Sequence, residues 1–190
     1  DRSVSRGLGD VYKRQIVDLL DDKGISFASY QEDLPYTGFQ GFNYSNQQTF
    51  AKDYVRKHDP LMLYDSYTSN STRLSLVKNF TEFERDLKDE KLPQYMIITP
   101  NMKVAGKWTR DFMTPLLENE YFINNTLVLI TFDENETKGE QNTVYSILLG
   151  GAISDELKGT SDETFYDHYS QISSVEVNWD LYNLGRNDVT

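Results

Sequence analysis

The apolar positions of this chain fall into runs of two kinds. The run Leu127, Val128, Leu129, Ile130, Thr131, Phe132 is unbroken and then meets Asp133, Glu134 and Asn135. A short continuous run of this kind reads as a strand buried on both faces, as in a mostly parallel sheet. Residues 25–30, 94–99 and 145–149 read as further strands, stopped in turn by polar residues, Pro100 and the pair Gly150–Gly151. The helical spacing is of a different period. Ile16, Val17, Leu19 and Leu20 mark one face of a short helix that Gly24 ends. A helix is expected near Leu74. Another should start at Thr81, where Thr81 and Glu84 have capping-box spacing and Phe83 with Leu87 supply the apolar face. Residues 104–117 read as a helix whose last turn Pro115 closes or kinks, and residues 168–179 as one with Ile172, Val175 and Trp179 on one face. Between them, residues 35–46 form an aromatic and glycine-rich loop, and Pro60 holds Asp59 extended. Residues 94–132 then make one β-α-β unit with parallel strands. The expected class is α/β, a mostly parallel sheet flanked by helices, with no internal repeat and no second domain.

Composition narrows this picture. A chain of 190 residues suffices for one domain with a sizeable core. Its formal charge of −11 argues against a nucleic-acid partner or an anionic membrane surface. No apolar run approaches the roughly 18 residues of a membrane span. The absence of cysteine excludes disulfides and thiolate metal sites within this stretch. Asn-x-Ser/Thr sequons begin at Asn43, Asn70, Asn79, Asn124 and Asn135, a density that leans toward a secreted glycoprotein carrying N-glycans. Residues 1–15 stand apart: they have no period, and their removal leaves −13 on residues 16–190. Residues 4–15 resemble a translated sequencing adapter. The segment is set aside as non-native, and the natural chain is expected to begin upstream of Ile16.

Candidate chemistry sits at strand ends. In open α/β sheets ligands bind outside the carboxyl ends of the strands, which places Asp133 and Glu134 at the mouth of a site. The competing reading is a solvated turn. Two histidines are present, His58 and His168. With the carboxylates, imidazole suits a divalent metal ion, although His168 also fits a surface residue at a helix start and His58 a solvated loop. Asn101, just past Pro100, either donates to a ligand or starts a turn. No phosphate-binding P-loop, Gly-x-Gly-x-x-Gly or Gly-x-Ser-x-Gly occurs. The residues alone support a metal-assisted hydrolase and no finer class.

Longer stretches carry a resemblance. IITPNM at 97–102, LITFDENET at 129–137 and SILLGGA at 146–152, together with YVRKHDP at 54–60, FYDHYS at 165–170 and VEVNW at 175–179, resemble the phosphoesterase family of fungal secreted acid phosphatases. That family is related to bacterial non-haemolytic phospholipases C and to the alkaline-phosphatase superfamily. The resemblance implies an alkaline-phosphatase-like α/β fold. It implies hydrolysis of a small phosphate ester through a phospho-enzyme assisted by a divalent metal ion, and a secreted, extracellular or cell-wall location. On it, Asp133 and Glu134 match the acidic metal-binding pair, and His168 the late histidine that closes the site. His58 matches a histidine that binds phosphate or protonates the leaving group. A glycan on Asn135 would crowd that site, so Asn43, Asn70, Asn79 and Asn124 are the candidate glycan positions. The family's other metal-site and nucleophile segments lie upstream. Its Asn-Asp-Gly-His stretch, which supplies another aspartate and histidine, is absent after Met102, as if about ten residues were missing. Residues 16–190 are thus expected to be the C-terminal part of one phosphoesterase domain, incomplete at its N-terminal side and inactive alone. The alternatives are a non-catalytic secreted glycoprotein domain of the same fold and a phospholipase C-type phosphodiesterase.

Overall fold

The computed structural model describes residues 14–45, 47, 52–101, 105–135 and 137–188. Most of residues 1–15 and the junction from Met102 to Val104 therefore lie outside the described residues. Helix α1 (Ile16–Asp22) turns Val17, Leu19 and Leu20 inward. The Gln15 N–H donates to Asp18 Oδ2 at 2.7 Å at its start. At its end the Ile25 N–H reaches Leu20 O and the Gly24 N–H reaches Asp21 O, with Gly24 at φ 70°. These two bonds make the left-handed glycine stop expected from the sequence.

Strand β1 (Phe27–Gln31) follows, and all five of its residues are buried. After the β2–β3 hairpin (Asn43–Ser45 and Lys52–Val55) come 3₁₀ turns at Arg56–His58 and Pro60–Leu63. Single helical turns α2 (Asp65–Thr68) and α3 (Ser71–Leu74) lead to β4 (Val77–Asn79). The hairpin lies partly inside what the sequence marks as irregular loop; short strands of mixed exposure leave little period to read. Helix α4 (Phe80–Lys88) starts before Thr81. Its cap is Asn79, whose Oδ1 accepts the Glu82 N–H at 3.0 Å, so the asparagine closing β4 displaces the expected Thr81–Glu84 box. Strand β5 (Tyr95–Thr99) completes a parallel sheet of order β4-β1-β5, with Gln31 opposite both Asn79 and Thr99. The α/β class and the parallel sheet stand as expected.

The chain divides into two compact units, residues 1–103 with 172–190 and residues 104–171. In the first, Val17, Leu20, Phe27, Tyr54, Met62, Tyr67 and Val77 form the centre of the core, with Val175 and Trp179 packed against it. Tyr30 Oη donates to Asp86 Oδ2 at 2.8 Å and Lys78 Nζ approaches the same oxygen at 2.6 Å, fastening α4 to the sheet. Burial works against ionisation of Asp86, but these two hydrogen bonds hold its carboxyl below the usual range.

The second unit contains α5 (Ala105–Leu117), α6 (Glu120–Ile123), β6 (Val128–Ile130) and β7 (Ile147–Leu149), followed by a 3₁₀ turn at Asp155–Leu157. The first turn of α7 (His168–Asn178) also belongs to it, and α7 continues into residues of the first unit. Two expectations are corrected here. Residues 94–132 do not pair as a β-α-β unit, because β6 pairs antiparallel with β7 in a ribbon of its own. Nor is β6 buried on both faces: Leu127 is 58% exposed, Leu129 41% and Phe132 49%. An apolar run states a need for cover without naming the element that supplies it, and here the strand's hydrogen bonds go to the next strand in sequence. The glycine pair explains that pairing. A Cβ on Gly150 would lie 2.0 Å from Thr126 O and one on Gly151 2.5 Å from Ile123 O. Only this close pass lets Gly151 N donate to Ile123 O and Ala152 N to Thr126 O.

Candidate functional site

Parallel strands leave their carboxyl ends on one edge, and in the first unit that edge carries a cleft. Gln31 and Glu32 come from the end of β1, and Thr99, Pro100 and Asn101 from the end of β5. Asp53, Tyr54 and His58 come from β3 and the 3₁₀ turn after it. The two strand ends are tied together. Gln31 Nε2 donates to Thr99 Oγ1 at 3.0 Å and to Ser29 Oγ at 2.7 Å. Asn101 N–H donates to Glu32 Oε2 at 2.7 Å and its Nδ2 to Asp33. Asn101 therefore lines the cleft with its backbone N–H and side-chain amide held by Glu32 and Asp33.

His58 is exposed at the mouth of this cleft, and the turn that carries it is anchored on both sides. Arg56 donates through Nε and Nη2 to Met62 O and through Nη1 to Gln40 O, and its guanidinium lies 5.7 Å over the Phe42 ring. That cation is spent on carbonyls and a ring rather than offered to a ligand. Asp59, held extended as Pro60 requires (φ −106°, ψ 101°), is fully buried. Its Oδ1 accepts from Ser29 Oγ at 3.3 Å and from Leu61 N at 3.2 Å. Burial pushes the Asp59 carboxyl up to about 6, against the Leu61 N–H, the Ser29 hydroxyl and the Arg56 charge, which favour the ionised form. With Glu32 and Asp53 in the lining, the cleft is a poor anion site unless a cation offsets them.

Asp133 and Glu134 lie in the second unit, on the loop after β6, both exposed. The loop is clamped by two asparagines. Asn142 Nδ2 donates to Asp133 O at 2.9 Å, Asn142 Oδ1 accepts from Asn135 N at 2.8 Å, and Asn135 Nδ2 donates to Gln141 O at 2.9 Å. The backbone is thereby fixed, and both acidic residues are exposed. His168 opens α7 and is exposed. By donor chemistry this set suits a hard divalent cation. Yet among the described residues no group of three or more histidine, aspartate or glutamate side chains stands where it could hold a metal ion. Asp133, Glu134 and His168 are not assembled into a closed centre among the described residues. Among the candidate glycan positions, Asn43, Asn70 and Asn124 are exposed, while Asn79 is half-buried.

The sequence reading missed the cleft residues Gln31, Glu32, Asp53 and Thr99. The signal existed, because the strand-end rule applied to Asp133 applies equally to the polar residues that close β1 and β5.

The chain matches the phosphoesterase family over residues 5–182, beginning within the segment set aside as non-native. It is 64% identical to a probable acid phosphatase of Kluyveromyces lactis, over 91% of this chain and 43% of that protein. It is 59% identical to an acid phosphatase of Aspergillus fumigatus and 50% identical to a phosphate-repressible acid phosphatase of Penicillium chrysogenum. Each comparison takes in 91% of this chain, and 41% and 44% of those proteins respectively. The chain thus spans less than half the length of the curated relatives it matches. With that match running through both compact units, the chain belongs to the phosphoesterase family.

Proposed function

We propose that this chain is part of a secreted acid phosphatase that hydrolyses small phosphate esters. One observation carries the reading: proteins named acid phosphatase are 49–64% identical to it across nine-tenths of its length. His58, exposed among the residues at the strand ends, is proposed to protonate an ester oxygen or bind a phosphoryl oxygen in the whole protein. Asp133 and Glu134 are proposed as ligands of a divalent cation in the whole protein, with His168 as a third candidate and further ligands from residues outside those described. Such a cation, when bound, neutralises charge on the phosphoryl oxygens and lowers the pKa of the attacking hydroxyl. Exposed Asn43, Asn70 and Asn124 support N-glycosylation and hence secretion; no helix among the described residues is long and apolar enough to cross a membrane.

The test is to express the full-length protein and follow hydrolysis of an aryl phosphate and of phosphatidylcholine at acid pH, with and without a chelator. Turnover of the aryl phosphate, lost on chelation and reduced at least tenfold in His58→Ala, is expected. Cleavage of the phospholipid alone would favour the phospholipase C-type reading, and no turnover of either would favour a non-catalytic domain.

A further inference from the structure

We propose that Asp59 is a positioning residue for His58, fixing the imidazole against the carboxyl ends of β1 and β5 through a buried hydrogen-bonded link to Ser29. The inference rests on the reading of His58 as a residue of the phosphoester site.

The link can be followed atom by atom. Asp59 follows His58 directly, and its N–H donates to Arg56 O at 3.0 Å, closing the turn that carries the imidazole. Pro60 removes the backbone freedom that would let the carboxyl and that turn move apart. The carboxyl then reaches out of the turn to β1, where Ser29 Oγ donates to it at 3.3 Å. Ser29 and Gln31 share one face of the strand, two residues apart. Gln31 Nε2 donates to Ser29 Oγ and to Thr99 Oγ1. Gln31 and Thr99 both line the cleft that His58 faces. The backbone turn that carries the histidine is thus tied to the strand ends by these bonds.

Capping of the turn alone does not account for Asp59. The Leu61 N–H could be met by a solvated side chain at the protein surface, yet Asp59 has no exposed surface at all. Its second oxygen, Oδ2, has no hydrogen-bond partner among the described residues, and neither have the buried hydroxyls of Tyr54 and Tyr67. A residue kept for stability alone would not carry an ionisable group with an orphaned oxygen into the core. The groups that act on it electrostatically are Arg56, Tyr54 and Tyr67. Of these Arg56 is the only cation, and it is engaged with carbonyls.

The experiment is a double-mutant cycle in the full-length protein, read as kcat and KM for an aryl phosphate. Asp59→Ala should lower kcat by about tenfold or more with a smaller change in KM, since small displacements of a reacting group are costly in rate. Asp59→Asn should restore most of the loss, because its amide oxygen still accepts from Ser29 and Leu61. In a His58→Ala background, Asp59→Ala should then lower kcat no more than about twofold, because a residue acting through His58 has nothing left to position. Should Asp59→Ala fail to fold, Ser29→Ala cuts the same link from the strand side and should show the same coupling. Independent, multiplying losses, or an Asp59→Asn as impaired as Asp59→Ala, would overturn the inference and leave the reading of His58 intact. Wild-type turnover in His58→Ala would remove both.

Discussion

Asp59 gives the stability of the chain a pH dependence whose sign can be worked out. The carboxyl titrates near 3.8 when solvated and near 6 in the fold. Between those values the folded state holds a proton that the unfolded state has released, so its stabilising contribution is whole below pH 3.8 and lost as pH rises through 6. Two pKa units correspond to about 3 kcal/mol. Glu176 acts in the same sense. Burial and the neighbouring Asp188 raise its carboxyl from 4.5 to about 7, so its contribution is lost as pH rises through 7. Asp86 runs the other way, its contribution present above pH 3.8 and lost as pH falls through its depressed value. The melting midpoint should therefore be higher at pH 5 than at pH 8. Asp59→Asn should flatten that difference, gaining up to about 3 kcal/mol at pH 8 and changing little at pH 4; an unchanged slope would mean that another group titrates. A second prediction concerns Asn135. Its Nδ2, the atom a glycan would occupy, donates to Gln141 O. Glycopeptide mass spectrometry of the full-length protein expressed through a fungal secretory pathway should find this sequon empty while Asn43, Asn70 or Asn124 is occupied. Proline beside Asp59 made its backbone legible from the sequence. Its burial was not legible, because the partner Ser29 lies 30 residues away.

At the level of elements, legibility followed local chemistry. The start and stop of α1 were readable because the apolar face and Gly24 are contiguous in sequence. The start of α4 was misplaced by two plausible caps standing side by side, of which Asn79 holds the bond. The partner of β6 was unreadable from its apolar run and was encoded in Gly150 and Gly151, which read only as a strand stop. Those glycines therefore bear a testable load. At Gly150, φ is 123° and a Cβ would fall 2.0 Å from Thr126 O, so Gly150→Ala meets both backbone strain and a clash with a carbonyl that has no side chain to move aside. The expected cost is about 2–4 kcal/mol. It should appear as lost hydrogen-exchange protection at β6 and β7, with β1 unaffected. Full protection of the ribbon in Gly150→Ala would show that its pairing does not depend on the close pass.

For the molecule as a whole, the sharpest prediction concerns Asp133. Its side chain is exposed and its backbone carbonyl, not its carboxylate, accepts the Asn142 hydrogen bond. Asp133→Asn thus leaves the loop clamp in place and removes one negative charge. Little packing is lost, so the melting midpoint of the metal-free protein should shift by no more than about 1 kcal/mol equivalent. Turnover should respond quite differently. If the carboxylate helps hold a divalent cation in the full-length protein, the amide cannot replace its charge. The transferring phosphoryl group then loses its main electrostatic partner. By comparison with the loss of one strong electrostatic stabiliser, kcat should fall on the order of 10²–10³. The two measurements belong together, because a variant that loses turnover through unfolding would lose its melting transition as well. Excess divalent metal should recover part of the rate, since weakened binding is offset by concentration. Near-wild-type turnover in Asp133→Asn at limiting metal would reduce the acidic end of β6 to a solvated turn. The chemistry would then have to rest on the strand-end residues around His58, among them Glu32 and Asp53.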